Sequence, residues 1–182
     1  MADYRAVGKL IPATGVDSLD PAVWRGVISC LVSIWLDEYS RGRADVAEVS
    51  SDLFSYLFDI EAERLIAAWG ISRGKHGGQR DKARMKGHPL SAGPLYHRGH
   101  AIPHTLGGPM DINLVPQRGL VNIGAFRRLE NEAVAEPGSL YFTYWQYPPG
   151  LTARGFPSQL PISVDQGLLI PGQPPKIVPH GN

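Results

Sequence analysis

The 35 residues from Tyr96 to Glu130, YHRGHAIPHTLGGPMDINLVPQRGLVNIGAFRRLE, gather most of the side chains in this chain that could do chemistry. His100 directly follows a basic, flexible Arg98-Gly99 step. A neutral imidazole takes a proton from water near neutral pH. Asn113, Asn122 and Glu130 follow, the last two eight residues apart where a helix is expected to begin. Carboxamide and carboxylate oxygens are hard donors of the kind Mg2+ prefers. Together these groups suggest metal-assisted hydrolysis of a phosphodiester.

A zinc reading of the same stretch is weaker. His97, His100 and His104 spell HxxHxxxH, but histidines at i and i+4 converge only on a helix, and Pro103 stands between them. The lone Cys30 supplies no second pair of ligands. His104 is expected instead to shape the turn with Gly107 and Gly108, or to border the substrate.

Three ordered runs, HRGH (His97 to His100), NLVPQ (Asn113 to Gln117) and NIGAFRRLE (Asn122 to Glu130), resemble the catalytic core of the DNA/RNA non-specific endonucleases of the His-Me finger (ββα-metal) superfamily. That family reads Asp-Arg-Gly-His, then Asn-Leu-x-Pro-Gln, then Asn-x-Gly-x-aromatic-x-x-x-Glu. An ordered string of three runs is far more specific than any one of them. The departure is His97, where the family usually has an acid.

The resemblance implies roles. His100 would be the general base and Asn122 the direct protein ligand of a single Mg2+, with Mn2+ as a substitute. Glu130 would hold the metal's waters or fix Asn122. At i+8 on a helix it shares the face of Asn122, drifted by about 80°. Arg98 would clamp the scissile phosphate. Asn113, Gln117 and His97 would brace and orient the site. Arg127, Arg128, Arg84 and Lys86 are the candidates for contacting the substrate backbone.

Composition bounds the rest. A chain of 182 residues with 43% apolar side chains can bury one sizeable core. Its net charge is only +1, but six cationic side chains between Ile71 and Leu95 face a single acid, Asp81. A local basic stripe is what a phosphate backbone requires. One cysteine excludes an internal disulfide, and its setting in VISCLVSIWL predicts a buried thiol. That apolar run is too short to span a bilayer, so no membrane insertion is expected. The first residues, MADYRAVGKL, lack the pattern of a signal peptide. The chain is therefore expected to be cytoplasmic as made, and secreted or delivered by a dedicated machine.

These residues need a frame, and the pattern predicts an α+β fold: a ββα-metal core on an antiparallel sheet, with an N-terminal helical segment. Residues 1–70 form that segment, 71–95 a basic glycine-rich connector, 96–170 the nuclease core and sheet, and 171–182 an extended Pro-rich tail. Asp20 caps a helix that starts at Pro21 and runs to about Tyr39. A second helix is predicted from Ser51 to about Trp69, on the spacing of Leu53, Phe54, Leu57, Phe58, Leu65, Ile66 and Trp69. Strands are expected at Leu95–Ile102, Ile112–Val115 and Ser139–Tyr147, and a helix from Asn122 to about Ala135. Short strands around Leu160–Val164 and Gly167–Ile170 extend the sheet. Eight of the 16 prolines lie in the last 35 residues, which predicts a loosely held terminus beyond Pro171.

Two functional classes follow. The first is an endonuclease acting on DNA, and on RNA as an extension, with little sequence preference, since no base-reading motif is visible. A bacterial toxin or its catalytic domain, held in check by an immunity or inhibitor protein, fits such an enzyme. The second is a non-catalytic nucleic-acid- or partner-binding module on the same scaffold, favoured only by His97.

Overall fold

A computed structural model of the chain describes residues 2–39, 45–51, 53–78, 89 and 92–182. Among the described residues, two helices and eight strands fold into three layers. The middle layer is a six-stranded antiparallel sheet of β1 (Val46–Ser51), β2 (Phe54–Asp59), β3 (Arg64–Ile71), β6 (Leu140–Gln146), β7 (Ser163–Leu169) and β8 (Lys176–Gly181), in that order. A separate antiparallel pair is made by β4 (Tyr96–His100) and β5 (Leu114–Arg118). The fold is therefore α+β.

Alternation along β6 separates the two faces. Phe142 and Tyr144 point to one side, where they meet Trp35 of helix α1 (Pro21–Glu38) at ring-centroid distances of 5.3 and 6.0 Å. Trp69 of β3 joins them, 5.6 Å from Trp35. Helix α1 starts as its sequence predicts, with Pro21 at the first position and the Asp20 carboxylate accepting from the Ala22 amide at 2.9 Å. Trp24, Val27, Leu31 and Trp35 recur at helical spacing and are all buried. A chain of hydrogen bonds crosses this layer: the Trp35 indole donates to the Tyr4 hydroxyl, which donates to Asp165 of β7. Cys30, expected to be buried, is a half-buried free thiol.

Tyr141, Thr143 and Trp145 face the other way and carry the third layer, made of β4, β5 and helix α2 (Phe126–Ala135). Phe126 of α2 stacks on Trp145 at 6.1 Å. Gln166 of β7 donates to the Phe126 carbonyl at 3.0 Å and to the Tyr141 hydroxyl at 2.9 Å. The central sheet thus holds the β4–β5–α2 unit by aromatic packing and by hydrogen bonds to its backbone.

Two expectations are corrected. The helix predicted over 51–69 is a β-meander instead, with β2 and β3 joined by a turn at 60–63. Every residue of β3 is buried, because α1 covers one face of the sheet and the remaining packing covers the other. A strand buried on both sides loses its two-residue alternation and reads as a continuous apolar run, indistinguishable from a buried helix by pattern. The tail beyond Pro171 is not loose either: 176–181 pairs along β7, and Asn182 bonds to Arg118, Pro116 and Pro161. Pro179 is tolerated because β8 is an edge strand that offers one side to solvent. Two smaller shifts accompany these. The second strand of the pair runs 114–118 rather than 112–115, and one strand, β7, replaces the two short ones expected near 160–170.

Candidate active site

His100 is the last residue of β4, opposite Leu114 of β5, and is 7% exposed. Its neighbour Ala101 fixes the strand end from both sides. The Ala101 amide donates to the Asn113 carbonyl at 2.9 Å, and its carbonyl accepts from the Thr143 hydroxyl of the central sheet at 3.3 Å. The position of His100 is therefore tied to β6 through one residue of backbone.

Asn113 is fully buried and clamps the loop between the strands. Its Oδ1 accepts from the Ile102 amide at 2.7 Å, and its Nδ2 donates to the carbonyls of Ile102 at 2.8 Å and Pro109 at 2.9 Å. Gly108 passes so close beneath this clamp that a Cβ there would collide with the Ile102 carbonyl, which only glycine avoids.

Gln117 is also fully buried, pairs in register with His97, and lies over Gly99, where any Cβ would run into its Oε1. Neither end of its amide has a hydrogen-bond partner among the described residues. His97 itself is half-buried against Gly119. Arg98 shares the strand face of His100 and opens onto a cavity beside β5.

The chain turns helical at Gly119, immediately after β5, rather than near Asn122. Residues Val121–Ala125 form a π-turn before the regular turns of α2 begin. A π-turn acts as one inserted residue in an α-helix. Eight residues across it then subtend about what seven do in a straight helix, so the expected drift of about 80° between Asn122 and Glu130 shrinks to about 20°. Asn122 and Glu130 are both half-buried, while Arg127 and Arg128 are exposed. Glu130 lies toward the central sheet. The Tyr141 hydroxyl is pushed well above its ordinary pKa, first by burial and then by the Glu130 charge.

The helix packs against a 3-10 turn at His104–Leu106 that ends on Gly107 with φ of 100°. That turn brings in a residue the sequence did not single out. His76 donates its amide to the Thr105 carbonyl at 2.7 Å, and its ring stands edge-on to His104 at 6.2 Å. His104 is in turn 6.2 Å from the His100 ring. Three imidazoles thus run in a row from His76 to His100. His76 carried no local signal, since its partner lies 28 residues on and meets it only through the fold.

Among the described residues no cluster of three or more His, Cys, Asp or Glu could hold a metal ion by itself. The hard oxygens of Asn122 and Glu130, aligned by the π-turn, suit a cation that keeps most of its water, as Mg2+ does. Arg84 and Lys86, with most of the basic stripe, lie outside the described residues; Arg73 and Lys75 lie within them.

Residues 67–138 match the family model of the DNA/RNA non-specific endonucleases. The segment carries that family's domain. It runs from within β3 to the turn before β6, and so contains both strands of the pair, the 3-10 turn and all of α2. A domain of this family implies a nucleic-acid hydrolase, and the family is metal-dependent in general. No curated protein matches the sequence significantly. No helix among the described residues is long and apolar enough to cross a membrane.

Proposed function

We propose that the protein is a metal-dependent endonuclease that hydrolyses phosphodiester bonds of DNA, and of RNA as well, with little sequence preference, on a His-Me finger. The carrying observation is the order strand, clamped loop, strand, π-turn and helix, which ends β4 on His100 and leads into the helical run that bears Asn122 and Glu130. His100 takes the proton from the attacking water. Arg98, on the same strand face, neutralises charge growing on the scissile phosphate. Asn122 would hold Mg2+, or Mn2+ in its place, with Glu130 anchoring the water around it. The bound cation supplies Lewis-acid stabilisation of the phosphate and the leaving oxygen. Asn113 keeps the loop after His100 in one conformation, and Arg127 and Arg128 meet the substrate backbone.

An unselective nuclease endangers the cell that makes it. The reading therefore extends to a bacterial toxin or toxin domain, delivered by a secretion machine and neutralised at home by an immunity protein. A plasmid-nicking assay with Mg2+ tests the chemistry. Wild type should cut, EDTA should abolish cutting, and His100→Ala should lower the rate at least about 100-fold, the scale expected of a lost general base. Cleavage by His100→Ala at the wild-type rate would remove the imidazole from the mechanism. Intact plasmid with retained DNA binding would make the chain a binding module.

A further inference from the structure

Arg98 forms one wall of a cavity of about 350 Å³ whose other features have no part in cutting a phosphodiester. The volume falls within the range of small-molecule sites. Leu114, the register partner of His100, lines it as well, so the cavity opens at the His100 end of the strand pair. Its walls are flat and apolar, built by Phe58, Pro116 and Tyr147. The Arg64 guanidinium lines the cavity as well, 4.3 Å over the Tyr147 ring, and donates to the Tyr39 hydroxyl and the Ser158 carbonyl. At the mouth stands the carboxylate of Glu63, bonded by the Gln159 amide at 3.3 Å.

A carboxylate repels phosphate, so the mouth is built for a hydrogen-bond donor. The backbone of Glu63 supports a dedicated role. Its φ is +50°, a left-handed conformation that residues with a Cβ rarely adopt and glycine adopts freely. A second cavity, of about 640 Å³, shares Glu63 and Gln159 with the first and is lined as well by Glu61, Arg154 and Phe156, which is 71% exposed. An exposed ring in a cavity that also holds a cation is a surface on which bases of a single strand stack.

We infer that the cavity beside Arg98 is a subsite for one unstacked nucleobase bearing an exocyclic amino group, with its single strand continuing past Glu63 to Phe156. The amino group of cytosine, adenine or guanine donates to Glu63. Thymine and uracil offer a carbonyl oxygen in its place and are disfavoured. A base held in the stack cannot enter a cavity, so the substrate is single-stranded or locally opened. The inference deepens the nuclease reading, because it places the base next to the phosphate that Arg98 would hold.

Binding in EDTA isolates the subsite from catalysis. The probes are dye-labelled oligo-dT strands with and without one central dC, followed by fluorescence anisotropy. Wild type should bind the dC strand about tenfold more tightly. Glu63→Gly should bring the ratio close to one while keeping or raising thermal stability, since glycine relieves the left-handed backbone. Equal affinities in wild type, or a ratio unchanged in Glu63→Gly, overturn the inference. With Mg2+ restored, cuts should fall beside the dC. Preferential binding without any cutting would sink the nuclease reading and leave the subsite standing. Cutting without base preference would do the reverse.

Discussion

Thr143 shows how a residue outside the matched family segment bears on His100, the proposed general base. It sits in the central sheet, fully buried, and its hydroxyl joins the Ala101 carbonyl to the Trp145 indole, at 3.3 and 3.2 Å. Valine has almost the same shape without the hydroxyl. Thr143→Val would leave a buried carbonyl and a buried N–H short of a partner, at a cost of about 1–2 kcal/mol. The long hydrogen bonds argue for the lower end of that range. Because Ala101 adjoins His100, the same change loosens the imidazole, and small misplacements of a reacting group are costly in rate. Urea unfolding should show the lower midpoint, and steady-state assays should show kcat falling more than KM rises. An unchanged kcat with the stability loss intact would confine this hydroxyl to holding the fold.

At the scale of elements, β8 locks the sheet to the start of α2, and it does so through a histidine. His180 packs against Phe126 with ring centroids 5.0 Å apart, and its Nε2 pairs with Gln166 Oε1 at 3.0 Å. Gln166 Nε2 already donates to Phe126 and Tyr141, which leaves its oxygen as the acceptor. Burial holds the His180 pKa below its ordinary 6.5, against the pull of the Asp165 charge. A histidine depressed on folding binds fewer protons in the folded chain than in the unfolded one. Its stabilising effect is therefore complete above the unfolded pKa and drains away as pH falls below 6.5 toward the folded value. Wild type should lose more stability than His180→Gln between about pH 7.5 and about pH 5, read as urea midpoints. Parallel losses in the two proteins would refute the assignment. None of this lock could be read from the chain itself. A proline opposite Asp165 marks a strand only once β7 is there to pair with it, just as β3 looks helical until both of its covers are known. The strand ending on His100 and the helix bearing Glu130 were legible, because their turn residues, loop and periodicity are all local in sequence. The π-turn was not, since its one-residue offset leaves the apolar spacing of the following helix intact.

For the whole molecule, the question is how a chain of net charge +1 holds a polyanion. Its cations are unevenly placed, with six between Ile71 and Leu95 and more on the site's own elements. Arg127 and Arg128 are exposed at the start of α2, beyond Asn122, while Lys176 is tied to Glu132 farther along. A cation that neutralises a phosphate releases a condensed counterion, which makes affinity fall with salt. Each lost phosphate contact reduces the slope of log K against log salt by about one. If both arginines meet the backbone, the double variant Arg127→Ala, Arg128→Ala should flatten that slope by about two. The measurement is DNA affinity in EDTA between about 50 and 200 mM salt, on two unrelated duplexes. Weakening should be equal on both sequences, because phosphate contacts carry no sequence information. An unchanged slope would return these arginines to the solvated face of the helix. A loss on one sequence alone would mean that they read bases rather than phosphates.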